Sequence, residues 1–90
     1  MLTIWITGAS SGIGFATAKK FLKNNWRVII SSSNNQKLSI AKNKLLDESI
    51  NNELHIMKCD ISNKEEVKQT IEYIEKNIAP INLAILNAAA

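Results

Sequence analysis

Apolar residues along this chain fall into four short, near-continuous runs, separated by longer stretches with helical spacing. The runs are Leu2–Ile6, Trp26–Ser32 centred on Val28-Ile29-Ile30, Leu54–Cys59, and Asn82–Asn87 with its core Leu83-Ala84-Ile85-Leu86. The near-continuous apolar character of the first run, Leu2–Ile6, predicts a strand covered on both faces, and the other three runs are read as strands around their apolar centres. Between the first two runs, a helix is predicted from Ser11 or Gly12 to about Asn24, with Ile13, Ala16, Ala18, Phe21 and Leu22 as its apolar surface. Asn24-Asn25 supplies its stop, because Asn tolerates the left-handed conformation. A second helix is predicted from Asn34 to about Glu48, with Leu38, Ala41 and Leu45 at i, i+3 and i+7 and an exit loop over Ser49–Asn52. Ser62 and Glu65 form a capping-box pair that should open a third helix. Val67, Ile71, Ile74 and Ile78 mark its inner face, and Pro80 blocks its continuation.

Strand–helix alternation with short connections predicts an α/β domain with a parallel sheet and right-handed crossovers. Repeats, low-complexity runs and linkers are absent from the 90 residues. The chain is therefore read as one domain over residues 1–90, below the common domain size of roughly 100–200 residues.

The first strand runs directly into Thr7-Gly8-Ala9-Ser10-Ser11-Gly12-Ile13-Gly14, and that turn runs into the first helix. A strand, a glycine-rich turn and a helix start bring backbone N–H groups close to a phosphate. Gly8 lets the strand turn sharply, Gly12 removes a side chain where a pyrophosphate would lie, and Gly14 lets helix and strand pack closely. The N–H groups around Gly12 and Ile13 would point at the anion, with the helix dipole favouring its charge. The hydroxyls of Ser10 and Ser11 are candidates for phosphate or ribose contact and for helix capping, and the two roles are compatible.

The spacing Thr-Gly-x-x-x-Gly-x-Gly resembles the cofactor turn of the short-chain dehydrogenase/reductase family. Two further motifs carry the resemblance, each at a strand end. Asp60, in Lys58-Cys59-Asp60-Ile61-Ser62, falls where that family has an aspartate that binds the adenine amino group. Asn87, in Leu86-Asn87-Ala88-Ala89, falls on the Asn-Ala-Gly part of the family's Asn-Asn-Ala-Gly signature. Ala89 stands where the family has glycine, and Leu86 replaces the first asparagine. The resemblance covers Leu2 to Ala90. It implies a Rossmann-like doubly wound sheet, present here in part as βαβαβαβ, with strand order 3-2-1-4. It also implies that Ile61 borders the adenine, that Asn87 supports the floor of the site, and that Ala88 and Ala89 line the cofactor.

The family's catalytic serine and Tyr-x-x-x-Lys lie beyond its Asn-Ala-Gly signature, so the resemblance places none of them in this chain. Tyr73 does not substitute: Asn77 stands four residues on, Lys76 is one position early, and both lie on the third helix. No catalytic residue is assigned. The fourth strand is expected at an open sheet edge, which is an aggregation hazard unless covered. The chain is accordingly expected to be a fragment of a longer protein or a truncated product.

Composition narrows the picture further. The net charge is +3, with seven Lys or Arg and no acid in residues 1–46, then eight acids and four lysines in residues 47–90. A basic first half can steer a phosphate-rich ligand. The simpler account is that Lys19, Lys20 and Lys23 solvate a helix face. They have no interleaved aromatics of the nucleic-acid type, so nucleic acid is not expected as a partner. No apolar run approaches the roughly 18 residues of a membrane span, and no secretory signal is evident. A first strand beginning almost at Met1 argues for a true N-terminus. The single cysteine, Cys59, reads as a buried small hydrophobe and fits a cytoplasmic location. His55 has no companion ligands, so no metal site is expected; Trp5 and Trp26 read as packing residues.

Cofactor choice should be made at the end of the second strand. Ser31-Ser32-Ser33-Asn34-Asn35 carries no acid, which permits a 2′-phosphate at Ser33 and favours NADP over NAD. The arginine many NADP-using relatives have at the Ser33 position is absent, as is a basic residue at Ser11, and Lys37 is the nearest cation. The resemblance thus implies an NAD(P)-dependent oxidoreductase acting on a small carbonyl or alcohol substrate, with a homo-oligomer allowed at full length. The other reading is a non-catalytic nucleotide-binding module or a truncated remnant. On either reading the 90 residues alone should transfer no hydride.

Overall fold

In the computed structural model, which describes residues 1–47 and 53–87, the four apolar runs form one parallel sheet. The elements follow in the order β1 (Thr3–Thr7), α1 (Gly12–Lys23), β2 (Arg27–Ser32), α2 (Asn35–Leu46), β3 (Leu54–Lys58), α3 (Lys64–Asn77) and β4 (Leu83–Leu86). The strand order is β3-β2-β1-β4, as the family resemblance implied. Register is set by facing aliphatics: Ile4 opposes Val28 and Leu83, while Ile6 opposes Ile30 and Ile85.

Successive strand residues point to opposite faces, so each strand feeds two cores. On one face, Ile4, Ile6, Val28 and Ile30 pack with Ala18 and Leu22 of α1 and Leu38, Ala41 and Leu45 of α2. On the other, Trp5 and Ile29 pack with Cys59 and with Ile74 of α3, flanked by Val67, Ile71 and Ile78. Two-sided burial explains why the centre of β1, Ile4-Trp5-Ile6, is apolar at every position. Trp5 can be fully buried because its indole N–H donates to Ser31 Oγ at 2.9 Å.

The inner face of α1 departs from expectation. Gly14, Ala18 and Leu22 are its buried residues, at i, i+4 and i+8, whereas Ile13 is 81% exposed and Ala16 is exposed. The close approach of Gly14 to the turn fixes the helix rotation, and Ile13, one position earlier, is turned outward. At its other end α1 closes as the paired asparagines predict. Asn25 adopts φ +65°, its N–H donates to the Leu22 carbonyl, and the Trp26 N–H donates to the Phe21 carbonyl. This is the Schellman arrangement, and its apolar contact is the Phe21–Trp26 ring pair, 4.8 Å apart and nearly perpendicular.

The cap of α3 also lies one residue later than the sequence pattern implied. Asn63, not Ser62, is the N-cap, and its side chain accepts from the Glu66 N–H at 3.1 Å. The Ser62 hydroxyl instead donates to Asp60 at 2.7 Å. Ser62/Glu65 and Asn63/Glu66 have the same spacing, and the carboxylate of Asp60 competes successfully for Ser62.

At the amino ends of the strands, Arg27 donates to Glu53 Oε2 at 3.0 Å and to Thr3 Oγ1 at 3.2 Å, and His55 meets the same Glu53 oxygen at 3.2 Å. This polar seam ties β1, β2 and β3 together at the end of the sheet opposite the glycine turn. β4 closes the sheet at β1, with Leu83 and Leu86 exposed at 41% and 55%. It has β1 as its sole strand neighbour among the described residues.

Candidate dinucleotide site

The carboxyl ends of the strands converge on a cleft of about 340 Å³. Its walls are Thr7 and Gly8 after β1, Ser32 and Ser33 after β2, Cys59 to Ser62 after β3, and Asn87 after β4. Ligands bind at this end of open α/β sheets because the connecting loops, freed from the ladder, offer their backbone and side-chain polar groups there.

The glycine turn borders the cleft and is built as its sequence requires. Gly8 has φ +63°, and a Cβ there would lie 2.8 Å from the Asn87 carbonyl oxygen. The Thr7 hydroxyl donates to that same oxygen at 3.2 Å, so the ends of β1 and β4 are joined both by contact and by a hydrogen bond. A Cβ on Gly14 would lie 2.5 Å from the Gly8 oxygen, which is the close helix–strand packing expected of it. Gly12 differs from both. It has φ +62°, and nothing lies within 4 Å of where its Cβ would be. Its surroundings are open.

The start of α1 is open too. Ser11 occupies the N-cap position with extended backbone, yet its side chain makes no capping hydrogen bond, and the first turn carries no acid. The starts of α2 and α3, by contrast, are capped by Asn34 and Asn63. The first-turn N–H groups of a helix have no acceptor within the helix. At α1 the side chain of Ser11 supplies none either, which suits an anion from outside.

Across the cleft, Asp60 is held in a tight turn. Oδ1 accepts from both the N–H and the hydroxyl of Ser62, at 3.0 and 2.7 Å, and the Asp60 carbonyl accepts from the Asn63 N–H. The Ser62 hydroxyl, and then its backbone N–H, hold the Asp60 carboxyl below its ordinary value. Asp60 therefore stays an ionised acceptor at neutral pH, with Oδ2 unengaged among the described residues. The end of β2 contributes Ser32, whose hydroxyl accepts from the Asn34 N–H at 3.2 Å and whose carbonyl accepts from the Cys59 N–H at 3.0 Å.

Of the residues singled out from sequence, Gly8, Ser33, Asp60, Ile61 and Asn87 line the cleft, while Ser10, Ser11, Gly12, Ile13 and Gly14 form the adjoining turn and helix start. Ala88 and Ala89 lie outside the described residues. Thr7, Ser32, Cys59 and Ser62 are additional wall residues. Their signal was positional, since each stands at or just beyond the carboxyl end of a strand. Lys37 is exposed in the first turn of α2, where its N–H serves the Asn34 cap. Among the described residues, no group of three or more His, Cys, Asp or Glu could hold a metal, and no helix is long and apolar enough to cross a membrane.

The sequence profile of the family described as short chain dehydrogenase matches residues 2–90. This chain belongs to the short-chain dehydrogenase family. Among curated members it is 40% identical over 86 residues to a 3-oxoacyl-[acyl-carrier-protein] reductase of Rickettsia typhi, covering 96% of this chain and 32% of that protein. It is 39% identical over 83 residues to a probable NADP-dependent mannitol dehydrogenase of Yarrowia lipolytica, covering 92% of this chain and 29% of that one. The chain thus spans about a third of the length of these relatives. Solved structures share this fold closely. A menthone neomenthol reductase from Mentha piperita matches with TM-score 0.87 at 21% identity, over 97% of this chain and 31% of its own. An actinorhodin polyketide ketoreductase with NADPH matches with TM-score 0.88 at 23% identity, over 97% of this chain and 33% of its own. The family is one of oxidoreductases, and its Rossmann-like parallel sheet is the fold observed.

Proposed function

We propose that these residues are the dinucleotide-binding part of an NAD(P)-dependent oxidoreductase, and that they supply binding and orientation rather than catalysis. The observation that carries this reading is the pairing of an uncapped α1 with an open Gly12. Together they leave N–H groups and free space where a pyrophosphate fits. Gly8, Ser10, Ser11, Gly12, Ile13 and Gly14 would hold the pyrophosphate, Asp60 and Ile61 the adenine, and Asn87 with Ala88 and Ala89 the floor toward the nicotinamide. The cofactor, when bound, supplies the hydride that passes to or from a carbonyl or alcohol carbon.

NADP is favoured over NAD. Ser32 and Ser33 border the cleft where an acid would repel a 2′-phosphate, and Lys37 is the nearest cation in the sequence. The NADP-dependent relative and the NADPH-containing neighbour support the same choice.

Substrate selection and proton transfer belong to a longer protein of which this chain is the cofactor part. Tyr73 lies on α3, half-exposed and outside the cleft lining, so it does not stand in for the family's catalytic tyrosine. The purified chain should bind NADPH and leave it unoxidised in the presence of a carbonyl substrate. Hydride transfer by these 90 residues would contradict the assignment.

A further inference from the structure

Asp60 is fixed by more than its own turn. Its bonds to Ser62 and Asn63 are local, closing within three residues. A fourth bond reaches further: the Asp60 backbone N–H donates to Glu66 Oε1 at 3.0 Å, tying the end of β3 to the first turn of α3. Glu66 is itself anchored on both sides. Its N–H donates to Asn63 Oδ1 at 3.1 Å, and its carbonyl accepts from the hydroxyl of the buried Thr70 at 2.8 Å. A first-turn carboxylate gains from the helix dipole without any such partner. The neighbouring Glu65 is exposed in that same turn, whereas Glu66 is half-buried and turned back on the chain.

We propose that Glu66 is a positioning residue for adenine recognition, fixing the backbone at Asp60 so that its free carboxylate oxygen meets an exocyclic amino group in the cleft. The proposal rests on the reading of Asp60 as the adenine contact. Because Ser62 occupies Oδ1, Oδ2 is the acceptor left for a ligand, and its direction follows from the backbone that Glu66 holds. The ligand class is a purine nucleotide with an amino donor. A purine carrying a carbonyl at that position would face the carboxylate acceptor to acceptor and be rejected.

The test compares binding of 5′-AMP, 5′-IMP and inorganic pyrophosphate to the 90-residue chain by NMR titration. The wild-type chain should prefer AMP to IMP, and Glu66→Ala should reduce that preference about fivefold, the range expected when one orienting hydrogen bond is lost. Pyrophosphate binding should not change, and Glu66→Gln, which keeps the acceptor oxygen, should restore the preference. Glu66→Asp, one methylene shorter, deletes the same contact and carries the same expectation should the alanine variant not fold. An undiminished AMP preference in either shortened variant overturns the proposal, as does an equal loss toward AMP and pyrophosphate. If Asp60→Ala leaves the AMP preference intact, the adenine reading of Asp60 itself fails, and the role of Glu66 falls with it.

Discussion

Gly14 packs so tightly on Gly8 that a Cβ at position 14 would lie 2.5 Å from the Gly8 carbonyl oxygen and 2.9 Å from Ala9 Cα. Both obstacles are backbone, so no rotamer change relieves them. Gly14→Ala should therefore destabilise the fold by about 1–3 kcal/mol through overpacking, although alanine is the better helix former by up to about 1 kcal/mol. A urea midpoint at or above that of the wild type would show that the turn can yield.

Gly12 predicts a different pattern. Its Cβ position is open, so Gly12→Ala meets only the strain of a positive φ, roughly 1–2 kcal/mol. Its larger effect should be on ligand. The added methyl occupies space assigned to the pyrophosphate, and NADPH affinity should fall about tenfold or more, equivalent to about 1.4 kcal/mol. Calorimetric titration at a temperature where the variant is folded separates the two effects. Unchanged affinity would remove Gly12 from the site.

Most of the architecture was legible because two-sided burial writes itself into the strands. Ile4, Trp5 and Ile6 are all apolar since each face of β1 meets a helix layer, and such runs alternating with helical spacing admit few arrangements. The glycine turn was legible for a related reason, as close backbone approach leaves little alternative to glycine at Gly8 and Gly14, with a positive φ adding to it at Gly8. What stayed hidden depended on register or on competition between equal patterns. The Arg27–Glu53–His55 seam forms only once β2 and β3 are aligned, which no local spacing reveals. The α3 cap had two frames of identical spacing, and the carboxylate of Asp60 decided between them by taking Ser62. The outward turn of Ile13 followed from the seating of Gly14, a contact between backbones.

The assignment of the α3 cap separates two neighbouring side chains. Asn63→Ala should cost about 1 kcal/mol of stability through loss of the cap. Ser62→Ala should leave the cap intact and instead let the Asp60 carboxyl rise toward its ordinary value, since the Ser62 hydroxyl is the main cause of its depression. Thermal unfolding and an NMR titration of the Asp60 carboxyl distinguish these outcomes. A larger stability loss in Ser62→Ala than in Asn63→Ala would contradict the assignment.

Glu53 links the seam at the far end of the sheet to pH. Its carboxyl is held below its ordinary value of 4.5, first by the hydrogen bond from Arg27 and then by that from His55. A depressed carboxyl contributes stability that is present above the unfolded value and is lost as pH falls through the folded one. Glu53→Gln should therefore be less stable than the wild type at pH 7, with the gap closing as pH falls below 4.5. With the glutamate side chain 34% exposed, the gap should not exceed about 1 kcal/mol. A gap that widens on acidification would have the wrong sign.

The central claim is that this chain holds a dinucleotide across the carboxyl ends of its strands. Its most direct test is an NMR titration of the isotope-labelled 90-residue chain with NADPH, following every backbone amide. The account predicts the largest shifts at Gly8, Gly12, Ile13 and Gly14 and at Asp60 and Ile61, with Arg27 and His55 at the opposite end of the sheet unmoved. Saturable shifts centred elsewhere, or none at millimolar NADPH, would contradict it.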